Sequence, residues 1–312
     1  MRVFVTGASG WIGSAVVPEL IAAGHEVVGL ARSDNSAAAL AAAGAEIVRG
    51  DLDDLDLLHS AAEDSDGVIH LAFKHDLVYA GDLAGAAAAD RDAIETLGDA
   101  LVDSGRPFLI ASGLLGLAPG RVATEHDGHD LSAVAGPTRA RRENAEVTLT
   151  FASRSVRSAI VRLATTVHGD GDNGFLPIIV GIARDRGVSA YIADGLNRWP
   201  AVHRLDAARL FRLALEHAPA GSTLHGVDDE GVPFREIAEV IGRHLEIPVA
   251  SISPDEAGEH FGALAQFIGA DGPGSSTLTR ELLDWQPTQP GLIADLEQGH
   301  YFKQRATITT GT

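Results

Sequence analysis

The chain has 312 residues, no cysteine and a formal net charge of −19. Without thiols there are no disulfides, thiolate nucleophiles or cysteine metal sites, and the acidic balance disfavours nucleic acid and anionic membrane surfaces as partners. Apolar residues make up 45% of the chain, enough for a real core, but no apolar run approaches membrane-spanning length.

The first strand is expected from residue 3, leaving no room for a signal peptide, so a soluble cytoplasmic protein is expected. Short β-branched runs at 3–6, 26–31, 46–48, 67–71 and 108–111 predict buried parallel strands. Ala/Leu-rich stretches at 13–23, 36–43, 55–62 and 83–104 predict the helices between them. This alternation predicts an α/β fold of the Rossmann type, a doubly wound parallel sheet. A long helix at 138–153 and a strand at 158–163 follow, and the pattern then loosens. Helices at 206–217 and 233–245, strands at 223–227 and 249–252, and a Gly/Pro/Ser loop at 269–276 are still expected. Residues 1–164 are expected to form the dinucleotide-binding domain, completed by the strand near 223–227, and 165–312 a mainly substrate-binding region.

Gly7-x-x-Gly10-x-x-Gly13 falls between the first strand and the first helix. There Gly7 permits a tight turn, Gly10 the approach of backbone to a pyrophosphate, and Gly13 close packing of the helix. Ser9, Trp11 and Ile12 complete the loop, and the helix N-terminus offers free N–H groups to phosphates. At the end of the second strand stand Arg32 and Ser33, where an acidic residue would hold ribose hydroxyls and an arginine pairs with a 2′-phosphate. NADP(H) is therefore the expected cofactor, with the nearby Asp34 opposing the preference. Asp51-Leu52 follows the third strand, where the carboxylate can accept from an adenine amino group, cap the next helix, or both.

The Thr-Gly-x-x-Gly-x-x-Gly spacing, Gly50-Asp51-Leu52 and His70-Leu71-Ala72 together resemble the extended short-chain dehydrogenase/reductases, which include nucleotide-sugar epimerases and NADPH-dependent carbonyl reductases. Looser likeness continues through Ala111-Ser112, Val161-Arg162-Leu163, Val167-His168-Gly169, Val202-His203-Arg204-Leu205-Asp206 and Trp285-Gln286-Pro287. The resemblance implies that Leu71, Ala72 and Phe73 line the nicotinamide side and that the loop 165–169, with Val167, meets its carboxamide. It also implies a homodimer through the helices at 83–104 and 138–153.

The catalytic pattern of that family is missing. Such enzymes protonate their substrate with the tyrosine of a Tyr-x-x-x-Lys pair, and none of the three tyrosines here begins one. Ser112 fits the residue that orients the substrate oxygen, or it caps a strand end. Aligning Glu143 with the family's helix glutamate puts Arg139 at the lysine position and Ala135 at the tyrosine position; the other register pairs Thr138 with Arg142. Arg139 can hold ribose hydroxyls but cannot donate a proton at working pH. At least two of Arg139, Arg141 and Arg142 are expected in solvent on helical periodicity. Arginine outnumbers lysine 22 to 2, a composition bias that weakens any argument from an arginine in a lysine's place.

Candidate replacement acids are His75, after the fourth strand near the nicotinamide end of the pocket, His126, Asp127 and His129 before the long helix, and His168 and His203, which border the substrate pocket by the resemblance; the alternative for each histidine is a structural or surface role. No ligand spacing supports a metal. In the segment 194–200, the resemblance implies that Arg198 can grip a nucleotide diphosphate, and Trp199 either forms an aromatic pocket wall or closes the smaller domain. The leading expectation is an NADPH-dependent reductase of a small carbonyl or imine with an atypical proton donor. The alternative is an inactive NADP(H)-binding redox sensor.

Overall fold

The computed structural model describes residues 1–132 and 138–303. Its main sheet has seven strands: β1 (Arg2–Thr6), β2 (Glu26–Ala31), β3 (Glu46–Arg49), β4 (Gly67–His70), β5 (Pro107–Gly113), β6 (Arg157–Leu163) and, from the second half, β10 (Ser222–Gly226). The smaller strands between and after them are β7 (Thr166–His168), β8 (Ser189–Ile192), β9 (Arg198–His203), β11 (Asp229–Pro233) and β12 (Val249–Ile252). The main-sheet order is β10-β6-β5-β4-β1-β2-β3, every pairing parallel. The order reverses between β1 and β4, and a crevice opens there beyond the carboxyl ends of the strands.

Alternation along β1 shows why this sheet is covered on both faces. Val3 and Val5 join one core with Val16, Leu20, Phe211 and Leu215, while Phe4 joins another with Val28, Leu58, Ile94 and Leu97. The first core lies under helices α1 (Gly13–Ala22) and α8 (Arg204–His217). Of the helices between them, α3 (Leu55–Glu63), α5 (Leu83–Asp99) and α6 (Thr138–Thr150) cover the other face, and α2 (Asp34–Ala42), α4 (His75–Tyr79) and α7 (Phe175–Arg186) complete the set. A period-two strand with apolar residues on both sides is stable only between two such layers.

A separate core unites α7, β9 and α9 (Phe234–Leu245) around Leu176, Ile179, Trp199, Phe234 and Ile237. It carries two small sheets, β11-β9-β7 and β12-β8. Among the described residues no helix is long and apolar enough to cross a membrane.

The structure departs from the sequence-based elements in several places, among them the short additional helix α4. The helix expected over 83–104 stops at Asp99, because the chain turns through left-handed backbone at Asp103 (φ 58°) and Gly105 (φ 68°). The helix expected to run to 153 ends at Thr150 and tightens into a 3₁₀ turn, Phe151–Arg154. In the second half β7, α7, β8, β9 and β11 are all additional, and most of the segment expected as a pocket loop at 194–200 leads into β9, which continues to His203.

Candidate functional site

The glycine loop follows β1 at the crevice. Gly7 adopts φ +64°, and a Cβ there would lie 2.6 Å from the Ala72 amide nitrogen, so the turn must be glycine to pass under the end of β4. At Gly13 a Cβ would come within 2.2 Å of the Gly7 carbonyl, so the crowding is against the loop's own backbone rather than the sheet. Gly10 and Ser9 are exposed and no side chain caps α1, while the Ser14 and Ala15 N–H groups of its first turn are bonded to the Gly10 and Ile12 carbonyls at 2.8 and 3.0 Å. Trp11 donates its indole N–H to the Val167 carbonyl at 2.8 Å, under the Arg204 guanidinium (4.4 Å from the ring centroid). That bond ties the phosphate loop to the 165–169 loop and brings together two residues that lie far apart in sequence. Ile12 packs half-buried beside the first core.

At the other end of the crevice, Arg32 is exposed, and the Ser33 hydroxyl accepts from Ser36 N–H to cap α2. Asp34 does not stand against Arg32 alone: Arg49, the last residue of β3, pairs with it at 2.5 Å and donates to the Ser33 carbonyl at 2.6 Å. Arg49 was missed in the sequence, although its register opposite Ala31 places it there. Asp51 accepts from the Asp53 N–H at 2.8 Å and so closes the turn before α3; the N-cap position itself belongs to Asp54. Leu52 is buried with Val28 and Leu58.

Beyond β4 a buried polar chain begins. The Thr6 hydroxyl accepts the Leu71 and Ala72 N–H groups (3.2 Å each) and lies 2.7 Å from His70 Nδ1. With its acceptor sites taken, Thr6 donates to Nδ1, which assigns the His70 proton to Nε2, facing Asp90 at 3.3 Å. Asp90 also accepts from Asn144 of α6 at 2.8 Å. Burial alone would raise the Asp90 pKa, but His70, Arg141 and Asn144 outweigh it and hold the carboxylate low.

Arg141 is the group that α6 turns toward this site. Its guanidinium lies 3.9 Å above the Phe73 ring, with Nη2 at 3.4 Å from the Ala111 carbonyl. Burial pulls its pKa down, and the Asp90 charge opposes that. His75, edge-on to Phe73 at 5.3 Å, also has a lowered pKa, from partial burial and the Arg141 charge. Ser112 follows Ala111 at the half-buried end of β5.

Arg139, the residue expected to replace the lysine, is exposed and paired with Glu143 at 2.8 Å. The expectation that two of the three arginines are solvated is therefore corrected, since Arg142 also turns inward to the Leu115 carbonyl at 3.0 Å. The signal was the i, i+4, i+7 stripe Arg141, Ala145, Thr148, of which Ala145 and Thr148 are buried. Ala135 lies outside the described residues.

Several candidates belong elsewhere. Trp199 is fully buried beside Phe175 and Phe234, a core residue rather than a pocket wall, because β9 points it between α7 and α9. His168 is also fully buried, bonded through Nδ1 to Asp295 at 2.9 Å, so it cannot face a substrate. His203 caps α8 through Nδ1 and lines a cavity of about 290 Å³ with Asp170, Arg204 and Gln289. His126 and His129 open on a different cavity beside Ser222 and Thr223, at the amino end of edge strand β10 and away from the crevice. Asp127 is held by Arg121. Arg198 is engaged by both carboxylate oxygens of Asp271 (3.0 and 2.9 Å). Among the described residues no three His, Cys, Asp or Glu side chains gather to hold a metal.

A parallel doubly wound sheet with a glycine loop at its switch point defines a Rossmann-type α/β fold. The chain belongs to the NAD dependent epimerase/dehydratase family, whose model matches residues 3–225, and so to the NAD(P)-dependent proteins of the extended short-chain dehydrogenase/reductase class. It is 48% identical over 303 residues to an uncharacterized Schizosaccharomyces pombe protein, covering 97% of this chain and 100% of that one. An uncharacterized Saccharomyces cerevisiae protein is 47% identical, covering 96% and 99%. Among solved structures, the dTDP-glucose 4,6-dehydratase DesIV of Streptomyces venezuelae, with NAD and TYD bound, matches with a TM-score of 0.75 and 20% identity, 97% of each chain covered. That last likeness is one of fold.

Proposed function

We propose that this protein is an NADPH-dependent oxidoreductase that reduces a small imine or activated carbonyl compound and lacks a side-chain phenol as acid. The observation that carries the reading is the Arg141 guanidinium over Phe73, a permanent cation that α6 turns toward the carboxyl ends of β4 and β5. The residues fit a dinucleotide: the exposed Ser9-Gly10 turn ahead of α1 for the pyrophosphate, Arg32 with Arg49 for a 2′-phosphate, Asp51 for adenine, and Leu71, Ala72, Phe73 and Val167 toward the nicotinamide. Bound there, NADPH supplies a hydride.

A protonated imine, R₂C=NHR⁺, takes the hydride at carbon and becomes the neutral amine R₂CH–NHR as NADPH becomes NADP⁺, so hydride transfer balances without an enzyme acid, and the amine then takes a proton from solvent. A carbonyl leaves an alkoxide that must take one proton from water, with Ser112 as the hydroxyl beside it. Epimerisation and dehydration in this family rely on the Tyr-x-x-x-Lys tyrosine as base, which the sequence lacks, and the Asp271 clasp on Arg198 argues against a nucleotide-diphosphate substrate. Exposed Ala84 and Ala88 on α5 support assembly as a homodimer through α5 and α6.

The test is NADPH consumption by purified protein against aldehydes, ketones and cyclic imines, with cofactor binding followed in parallel. Acceptor-dependent oxidation led by imines supports the reading. Tight NADPH binding with no oxidation by any acceptor contradicts it and points instead to a redox sensor.

A further inference from the structure

Arg141 is half-buried, and few of its donors are satisfied within the protein. A guanidinium has five N–H donors, yet among the described residues its one hydrogen bond is the long contact to the Ala111 carbonyl at 3.4 Å. Among the described residues no carboxylate forms an ion pair with it. Asp90 is the nearest compensating charge, but its two oxygens are taken by His70 at 3.3 Å and Asn144 at 2.8 Å. Its neighbours on α6 are spent otherwise, Arg139 on Glu143 and Arg142 on the Leu115 carbonyl.

The Phe73 ring holds the guanidinium plane without using its in-plane donors. Both neighbours, Phe73 after β4 and Ala111 in β5, lie at the carboxyl ends of strands beside the switch point, where ligands of such sheets bind. An oriented, partly desolvated arginine with open donors at that place is a receptor for a planar anion. A carboxylate matches its fork with two parallel hydrogen bonds.

We infer that the substrate carries a carboxylate beside its reducible carbon and that Arg141 binds it. This rests on the reductase reading, and it names the acceptors as 2-imino or 2-oxo acids rather than neutral imines and ketones. Gripping the carboxylate would fix the adjacent C=N or C=O against the Phe73 side of the crevice, an orientation that contributes to catalysis without proton transfer.

Two experiments test the inference separately from the reductase reading. The first uses formate, a carboxylate small enough for any pocket, titrated into the NADPH-bound protein at constant ionic strength with chloride as control. Formate is expected to change the nicotinamide fluorescence in the wild type, weakly in Arg141→Lys and not at all in Arg141→Gln. No change in a wild type that binds NADPH, or an equal change in R141Q, overturns the inference even if turnover is found.

The second compares 1-pyrroline-2-carboxylate with 1-pyrroline as acceptors. The carboxylate is expected to be preferred, with R141Q losing roughly a hundredfold in kcat/KM for it, mostly through KM, and R141K recovering part. The neutral imine and the KM for NADPH should move little. Equal losses on both imines, or a raised KM for NADPH alone, would make Arg141 a cofactor ligand instead. If formate binds through Arg141 but nothing is reduced, the reductase reading fails and the anion site stands.

Discussion

Replacing Arg32 with alanine tests the cofactor assignment on its weakest-held residue. Arg32 is exposed, whereas Arg49 beside it is anchored to the Ser33 carbonyl and Asp34. Asp34 is thus already neutralised by Arg49, and Arg32 is left to meet a 2′-phosphate. A charge-assisted pair with a phosphate contributes about 1.5–3 kcal/mol where it is sheltered and at most about 1 where solvent screens it. At this exposed position the screened value applies, so Arg32→Ala should weaken NADPH binding by roughly three- to fivefold. NADH has no 2′-phosphate, and its affinity should change less than twofold. Titrating the fluorescence of each reduced nucleotide at two salt concentrations reads both numbers, and the NADPH preference should shrink at high salt. Equal losses for NADH and NADPH would refute the reasoning, because the arginine would then be shaping the loop and not reading the phosphate.

Other consequences follow from the same geometry. Trp11→Phe removes the indole bond to the Val167 carbonyl and should weaken binding of both nucleotides by several-fold, about 1 kcal/mol, with little loss of melting temperature. Trp199 is fully buried and its indole N–H has no partner among the described residues, so Trp199→Phe should be nearly neutral while Trp199→Ala costs about 3–5 kcal/mol in urea unfolding. Comparable costs for the two would show that the indole nitrogen is satisfied. His225 is sealed behind Ser275, and burial pushes its pKa down to about 4 against the opposing pull of Glu125. A depressed histidine contributes no pH dependence above the unfolded value of 6.5 and loses stability as pH falls from there toward 4, because the unfolded chain gains the proton first. The full loss is roughly 3 kcal/mol. Urea midpoints measured over that range should slope less in His225→Gln, and parallel slopes would count against the burial argument.

The nucleotide half of the fold was legible because it follows a simple rule. Strands between two helical layers show uninterrupted apolar runs, and β1, β2 and β4 differ from their sequence-based limits by at most one residue. Rules of that kind fail in the second half. β9 contains Trp199-Pro200 and ends in a capping histidine, which reads as a loop until its partners β7 and β11 are known. At the site, Gly7, Gly10 and Gly13 announced themselves by spacing, and Arg32 by its distance from them. Arg141 did not, because matching Glu143 to a family pattern fixed the helix register two residues away from the buried stripe. The pairings of Trp11 with Val167 and of Arg49 with Asp34 depend on tertiary approach, which no local pattern encodes.

The claim that most needs testing is that hydride transfer proceeds without a titrating acid on the enzyme. The decisive measurement is kcat/KM against pH for one imine of known pKa, with NADPH saturating. The account predicts a profile that falls as the imine itself loses its proton and shows no other break through neutrality, in the wild type and in His75→Gln alike. A second break that disappears in His75→Gln would contradict it and make His75 the proton donor.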